Sequence, residues 1–121
     1  MERLPPQLRH QLSQFQQAQQ QAQALMTQRQ QLELVLRETE KALEELGKLG
    51  GDEVVYKRVG GILVRASKPD VERELNERKE TLNLRIKTLE RQEGRVVKRL
   101  NEMREKIQEA LKTREPSGEA G

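Results

Sequence analysis

Val54-Val55-Tyr56-Lys57-Arg58-Val59-Gly60-Gly61-Ile62-Leu63-Val64-Arg65-Ala66 is the stretch whose reading decides the fold. Two β-rich runs, 54–59 and 62–66, flank a Gly-Gly pair. Glycine reaches the positive φ of a tight turn without a Cβ clash, so the pattern predicts a β-hairpin with Gly60 and Gly61 at its tip. The register that follows pairs Val59 with Ile62, Lys57 with Val64 and Val55 with Ala66. These residues share one face, apolar except for Lys57. Tyr56, Arg58, Leu63 and Arg65 take the other face, which still carries two large apolar groups. A two-stranded hairpin is marginal in water, and this one is apolar on both faces with both edges open. It needs more strands. The rest of the chain has no other β-rich run, so they are expected from other subunits, and Val55, Tyr56, Val59, Gly60, Gly61, Ile62, Leu63 and Val64 form the candidate assembly element.

Outward from the hairpin the chain is helical on both sides. Pro5-Pro6 suits a first helical turn, and a seam then runs Leu8, Leu12, Phe15, Ala18, Ala22, Leu25, Arg29, Leu32, Leu36, Thr39, Leu43, Leu46. Steps of four and three alternate, with one extra three at Phe15 to Ala18, which is a coiled-coil repeat with a stammer. The glutamines filling the first half outside the seam are good helix formers. Gly47 is the expected C-cap, and Gly50-Gly51 break the chain before the hairpin. Ser67 or Lys68 caps a second helix, with Pro69 in its first turn and Asp70 and Glu72 at the positive end of its dipole. Its seam reads Val71, Leu75, Arg78, Leu82, Ile86, Leu89, Glu93, Val96, Leu100, Met103, Ile107, Ala110. Gly94 interrupts the interior of that helix. The expected organisation is a single domain over 1–121: helix about 5–47, hairpin about 53–66, helix about 69–113 and a disordered tail over 114–121. The helices, each on the order of 60–65 Å at 1.5 Å per residue, fold back antiparallel, so residues whose numbers sum to roughly 117 face each other.

Composition narrows the function. Of 121 residues, 33% are hydrophobic and 36% charged, which suits long helices burying a narrow stripe more than a large globular core. There is no cysteine, so disulfides and cysteine-based zinc sites are excluded, and the lone His10 reads as a surface residue. No apolar run is long enough to span a bilayer, and the N-terminus lacks the apolar core of a secretory signal, which makes the cytoplasm the expected compartment. Acidic residues such as Glu38, Glu40, Glu44 and Glu45 sit among bases at helical spacings, where solvated i,i+4 pairs explain them. A two-helix hairpin offers no pocket for acid–base catalysis, so no enzyme, cofactor or metal is expected. Gly47-Lys48-Leu49-Gly50-Gly51 has the glycines of a phosphate loop but lacks the spacing, the Ser/Thr after Lys and the preceding strand. The net charge is only +3, with bases interleaved with acids along the second helix, and the chain holds one Tyr and one Phe. Nucleic-acid binding, which favours basic clusters and aromatic platforms, is therefore not expected.

The chain ends remain. Leu4, Leu8, Leu12 and Phe15 approach Val96, Val97, Leu100, Met103, Ile107 and Leu111 in the antiparallel arrangement. They read either as ordinary seam or as a binding surface, since two helices alone cannot cover so many apolar groups.

The hairpin run Val55 to Val64, with Lys68, the helix start Val71 to Leu75, the Gln-rich run Gln11 to Gln23 with Phe15, Lys41 to Leu46, and Thr88 to Glu93, resembles the beta subunit of archaeal-type prefoldin over nearly the whole chain. The resemblance implies a chain dominated by a long antiparallel two-helix coiled coil, whose β-hairpin assembles into an intersubunit β-barrel. It implies a hetero-hexamer of two alpha and four beta subunits whose coiled-coil tips hold non-native polypeptides, which makes Leu4, Leu8, Leu12, Phe15, Leu100, Met103, Ile107 and Leu111, the apolar set at the chain ends, the expected client-binding tip. It further implies delivery of these to a group II chaperonin without ATP. Gly94 departs from the family, where a helix former is expected. The alternative is a structural coiled-coil adaptor that scaffolds one defined partner.

Overall fold

The computed structural model describes residues 4–120, with side chains through Thr113. Met1 to Arg3, the start of the expected loose N-terminus, lie outside the described residues. In chain order the elements are α1 (Pro6–Gly47), β1 (Val55–Val59), β2 (Ile62–Ala66) and α2 (Lys68–Ala120). The helical backbone of α2 thus continues past Thr113, where the sequence reading stops it. The side chains of 114–121, the expected tail, are outside the description. The chain divides into a hairpin unit, Arg29–Thr88, and a terminal unit, Met1–Gln28 with Leu89–Gly121.

In the hairpin unit, β1 and β2 pair antiparallel in the expected register: Val55 with Ala66, Tyr56 with Arg65, Lys57 with Val64, Arg58 with Leu63 and Val59 with Ile62. Gly60, at φ 60°, is the only positive-φ residue among those described. Positive φ at the first central residue alone is the pattern of a type II′ turn, whose twist matches that of the strands. The start of α2 is capped by Ser67: the Asp70 amide donates to its Oγ at 3.3 Å, and the Val71 amide donates to its carbonyl at 3.1 Å. The Ser67 hydroxyl, followed by the Arg73 guanidinium 2.9 Å away, holds the Asp70 carboxyl below its ordinary range. A carboxylate therefore stands at the positive end of the helix.

α1 ends at Gly47, as expected, but not through a left-handed residue. Gly47 is still helical, without positive φ. The helix closes by tightening: the Lys48 amide donates to Glu45 and the Leu49 amide to Leu46, each at 3.2 Å. Such i→i+3 bonds satisfy terminal carbonyls without a left-handed residue.

The seam residues of this unit are buried or half-buried on both helices, with Leu46, Leu82 and Ile86 among the most enclosed. Full burial of such a side chain contributes about 1.5–3 kcal/mol. Thr39 is buried at no polar cost, because its hydroxyl donates to the Val35 carbonyl at 2.8 Å. One position is corrected. Arg78 is exposed, and Lys79 takes the place in the seam, its ammonium 3.5 Å from Glu40. With Lys79 in the seam, α2 has two consecutive four-residue steps in its opening turns, from Val71 to Leu75 to Lys79, and steps of three and four alternate from there on.

In the terminal unit, Leu8, Ala18, Val96 and Ile107 are buried and the remaining seam positions half-buried. Across this seam the Arg99 guanidinium donates to Gln21 Oε1 at 2.8 Å, close to the expected antiparallel register. Gly94 is helical and exposed, and a Cβ built on it meets nothing within 4 Å. Gly94→Ala should therefore raise stability by up to about 1 kcal/mol. Hydrogen exchange of the amides around 92–97 should slow by a corresponding factor of up to about five. Unchanged or faster exchange would show that the glycine serves a geometry this helix does not display.

Candidate functional site

The hairpin leaves its apolar side chains in solvent. Tyr56 is 62% exposed, Ile62 64% and Leu63 66%, and Val54, Val59 and Val64 are exposed as well. Gly60 and Gly61 form the open turn. Of the expected assembly residues only Val55 is buried in the chain itself. Alternation alone cannot produce this pattern, since one face of a half-buried hairpin would be covered. Here Ile62 and Val64 on one face and Tyr56 and Leu63 on the other all face water, and the sheet has two strands with both edges unpaired.

Two lysines fix where this surface points within its unit. Lys57 on β1 donates to Glu74 on α2 at 2.9 Å. Lys68, with its side chain only 16% exposed, reaches back across the hairpin to donate to the Leu49 carbonyl at 2.6 Å, with Glu72 3.7 Å away. The loop before β1 is closed on itself: the Gly50 amide donates to Glu53 Oε1 at 2.9 Å, and the Glu53 amide donates to the Gly50 carbonyl at 3.2 Å. Lys68 thus ties the end of α1 to the start of α2 where the hairpin leaves and returns. Lys68→Met keeps the stem and removes the donor. It should lower stability by about 1–3 kcal/mol, the cost of leaving a half-buried carbonyl unpaired. Chemical denaturation that shows no loss would mean water replaces the ammonium freely.

The candidate residues at the chain ends divide by burial. Leu8 is 3% exposed and Ile107 is also buried, so both belong to the seam of the terminal unit. Leu4, Leu12, Phe15, Leu100 and Met103 are half-buried, each with part of its side chain open. Leu111 is exposed, as is Val97, which lies off the seam. No group of acidic or histidine side chains among the described residues is placed to hold a metal ion, and no described helix is long and apolar enough to cross a membrane.

Comparison with known proteins gives this arrangement a family. A model described as prefoldin subunit matches residues 9–114. The prefoldin subunit beta of Archaeoglobus fulgidus is 52% identical over 111 residues, covering 92% of this chain and 96% of the relative. The chain belongs to the prefoldin subunit family. The prefoldin subunit beta of Methanococcoides burtonii is 46% identical over 110 residues, covering 91% of this chain and 94% of its own. The crystal structure of the prefoldin beta subunit from Thermococcus strain KS-1 superposes with a TM-score of 0.84 at 42% identity, covering 92% of this chain and 97% of that one. Two long helices joined by a two-stranded antiparallel hairpin are therefore the fold of a prefoldin subunit, and prefoldin is a chaperone family. Two features of this member were not legible from its sequence. The Lys68 contact spans the whole hairpin, and no local pattern signals it. The exchange of Arg78 for Lys79 is invisible to a pattern of apolar spacings, because both residues are basic.

Proposed function

We propose that this chain is the beta-type subunit of an ATP-independent holdase, a hetero-hexamer of two alpha and four beta subunits. Its hairpins build intersubunit β-barrels, and its terminal units hold unfolded polypeptides in the cytoplasm for delivery to a group II chaperonin. The observation that carries the reading is the hairpin of a prefoldin-family chain with apolar residues open to water on both faces and on both edges. Burying several such side chains between subunits gives roughly 1.5–3 kcal/mol apiece at full burial, and the unpaired strand edges supply backbone donors and acceptors. The client surface rests on Leu111 and on the open parts of Leu4, Leu12, Phe15, Leu100 and Met103. Leu8 and Ile107 act beneath it as the seam that holds these in place. Phe and Met adapt their shape to varied partners, which suits a surface for unrelated chains better than one for a single folded partner, the adaptor reading.

Mixing the chain with an alpha-type subunit and measuring the native mass tests assembly, and light scattering of a heat-denatured client without nucleotide tests holding. The proposal expects a single species of two alpha and four beta chains that suppresses aggregation of unrelated clients equally with and without ATP. Binding to one folded protein with no protection of unfolded ones would favour the adaptor.

A further inference from the structure

From Gln11 to Gln28, α1 carries no charged residue, in a chain that is 36% charged. The stretch of α2 in the same unit, 89–106, holds six bases against four acids. The consequence appears in the contacts between the helices. In the hairpin unit a base on α2 meets an acid on α1, Lys79 with Glu40. In the terminal unit Arg99 meets the neutral amide of Gln21. An amide oxygen satisfies the hydrogen bond and leaves the charge uncompensated. Arg95, one turn before Arg99, has no hydrogen-bond or ion-pair partner among the described residues.

These two guanidinium groups border an open hollow of about 320 Å³ with Leu25 and Val96 on its floor and Gln21 and Gln92 beside them. A second hollow of about 380 Å³, on the side of Gln17 and Met103, shares Gln21 and Arg99 with the first. No acid lines either one. The result is a track with an apolar floor, an amide wall and a positive rim.

We propose that this track binds acidic, extended polypeptide segments, and that it gives the holdase a preference for clients rich in alternating carboxylates. The inference rests on the holdase reading above for its biological meaning, but the groove stands on its own geometry. Arg95 and Arg99 are four residues apart on a helix, about 6 Å along its axis. Carboxylates at alternate positions of an extended chain are about 6.6 Å apart and point to the same side. Each can therefore meet one guanidinium while the intervening backbone lies over Leu25 and Val96. A nucleic-acid strand finds no aromatic platform here, since no ring lines either hollow.

The experiment is fluorescence anisotropy on the full-length chain at low salt with three labelled probes: a peptide alternating Glu with Ala, an uncharged apolar peptide, and a single-stranded oligonucleotide of the same net charge as the first. The Arg95→Gln, Arg99→Gln double variant keeps good helix formers, and the Arg95→Lys, Arg99→Lys variant keeps the charge. Loss of the acidic peptide by on the order of tenfold in the Gln variant, with partial recovery in the Lys variant and no change for the apolar peptide, supports the track. Raising the salt should weaken the acidic peptide and leave the apolar one unchanged. Equal affinity of wild type and Gln variant for the acidic peptide overturns it, as does an oligonucleotide that binds more tightly through the same arginines. Failure of the acidic peptide while the apolar one binds overturns the track and leaves the holdase reading standing. Arginine-dependent binding of the acidic peptide while the apolar one fails supports the track and sinks the holdase reading instead.

Discussion

Ile62→Asp with Val64→Asp should convert the assembled protein into monomers that keep their helices. Both side chains are open to water in the single chain, Ile62 more so than Val64. Exposed substitutions of this kind usually change the stability of a chain by no more than about 0.5 kcal/mol, apart from the poorer strand propensity of Asp. At a strand interface the same carboxylates are desolvated without partners, at an effective cost of several kcal/mol for each ion. The two effects fall on different measurements. Far-ultraviolet circular dichroism should be nearly unchanged, and the sedimentation coefficient should fall to that of the monomer. Both residues sit on the face of Val55 and Val59. Tyr56→Asp with Leu63→Asp is therefore the matching variant for the other face, and comparing the pairs reveals which face the partner strands cover.

Much of this structure is legible in the chain because its signals are local and periodic. The hairpin register follows from the position of Gly60-Gly61 between two alternating runs, and the five observed pairs reproduce it. The seam follows from apolar spacing, and burial agrees at every position except Arg78. Gly47 is the last residue of α1, where its place after a periodic run puts the end of the helix, but the closing geometry is not legible: the helix ends by tightening its last bonds and not through a left-handed residue. At the chain ends spacing names the apolar residues but not their exposure. Spacing places Leu8, Leu12, Leu100 and Ile107 alike near the seam. Which of them keeps an open side depends on the rotation of each helix about its axis, and Leu8 and Ile107 turn inward. The Arg95–Arg99 track needs both helices at once: its basic side lies in α2, and the missing acids are missing from α1.

Removing the first dozen and last dozen residues should abolish protection of an aggregating client and leave the oligomer intact. The deletion takes Leu4, Leu8, Leu12 and Leu111 and leaves Phe15, Leu100, Met103 and Ile107 near fraying helix ends that no longer present them as one surface. These residues all belong to the terminal unit, whereas β1, β2, Lys57 and Lys68 belong to the hairpin unit. Each open apolar group alone binds weakly. Several, repeated across the subunits of an oligomer, bind by avidity, because a client held at one end meets the next at high effective concentration. Loss should therefore be steep.

The most direct measurement is light scattering of a heat-denatured client in the presence of the truncated protein, with its native mass determined in parallel and without nucleotide. The predicted result is an oligomer of unchanged stoichiometry and a client that aggregates as fast as it does alone. Full protection by an intact truncated oligomer would place the client site away from the chain ends and contradict the assignment of holding to the terminal unit.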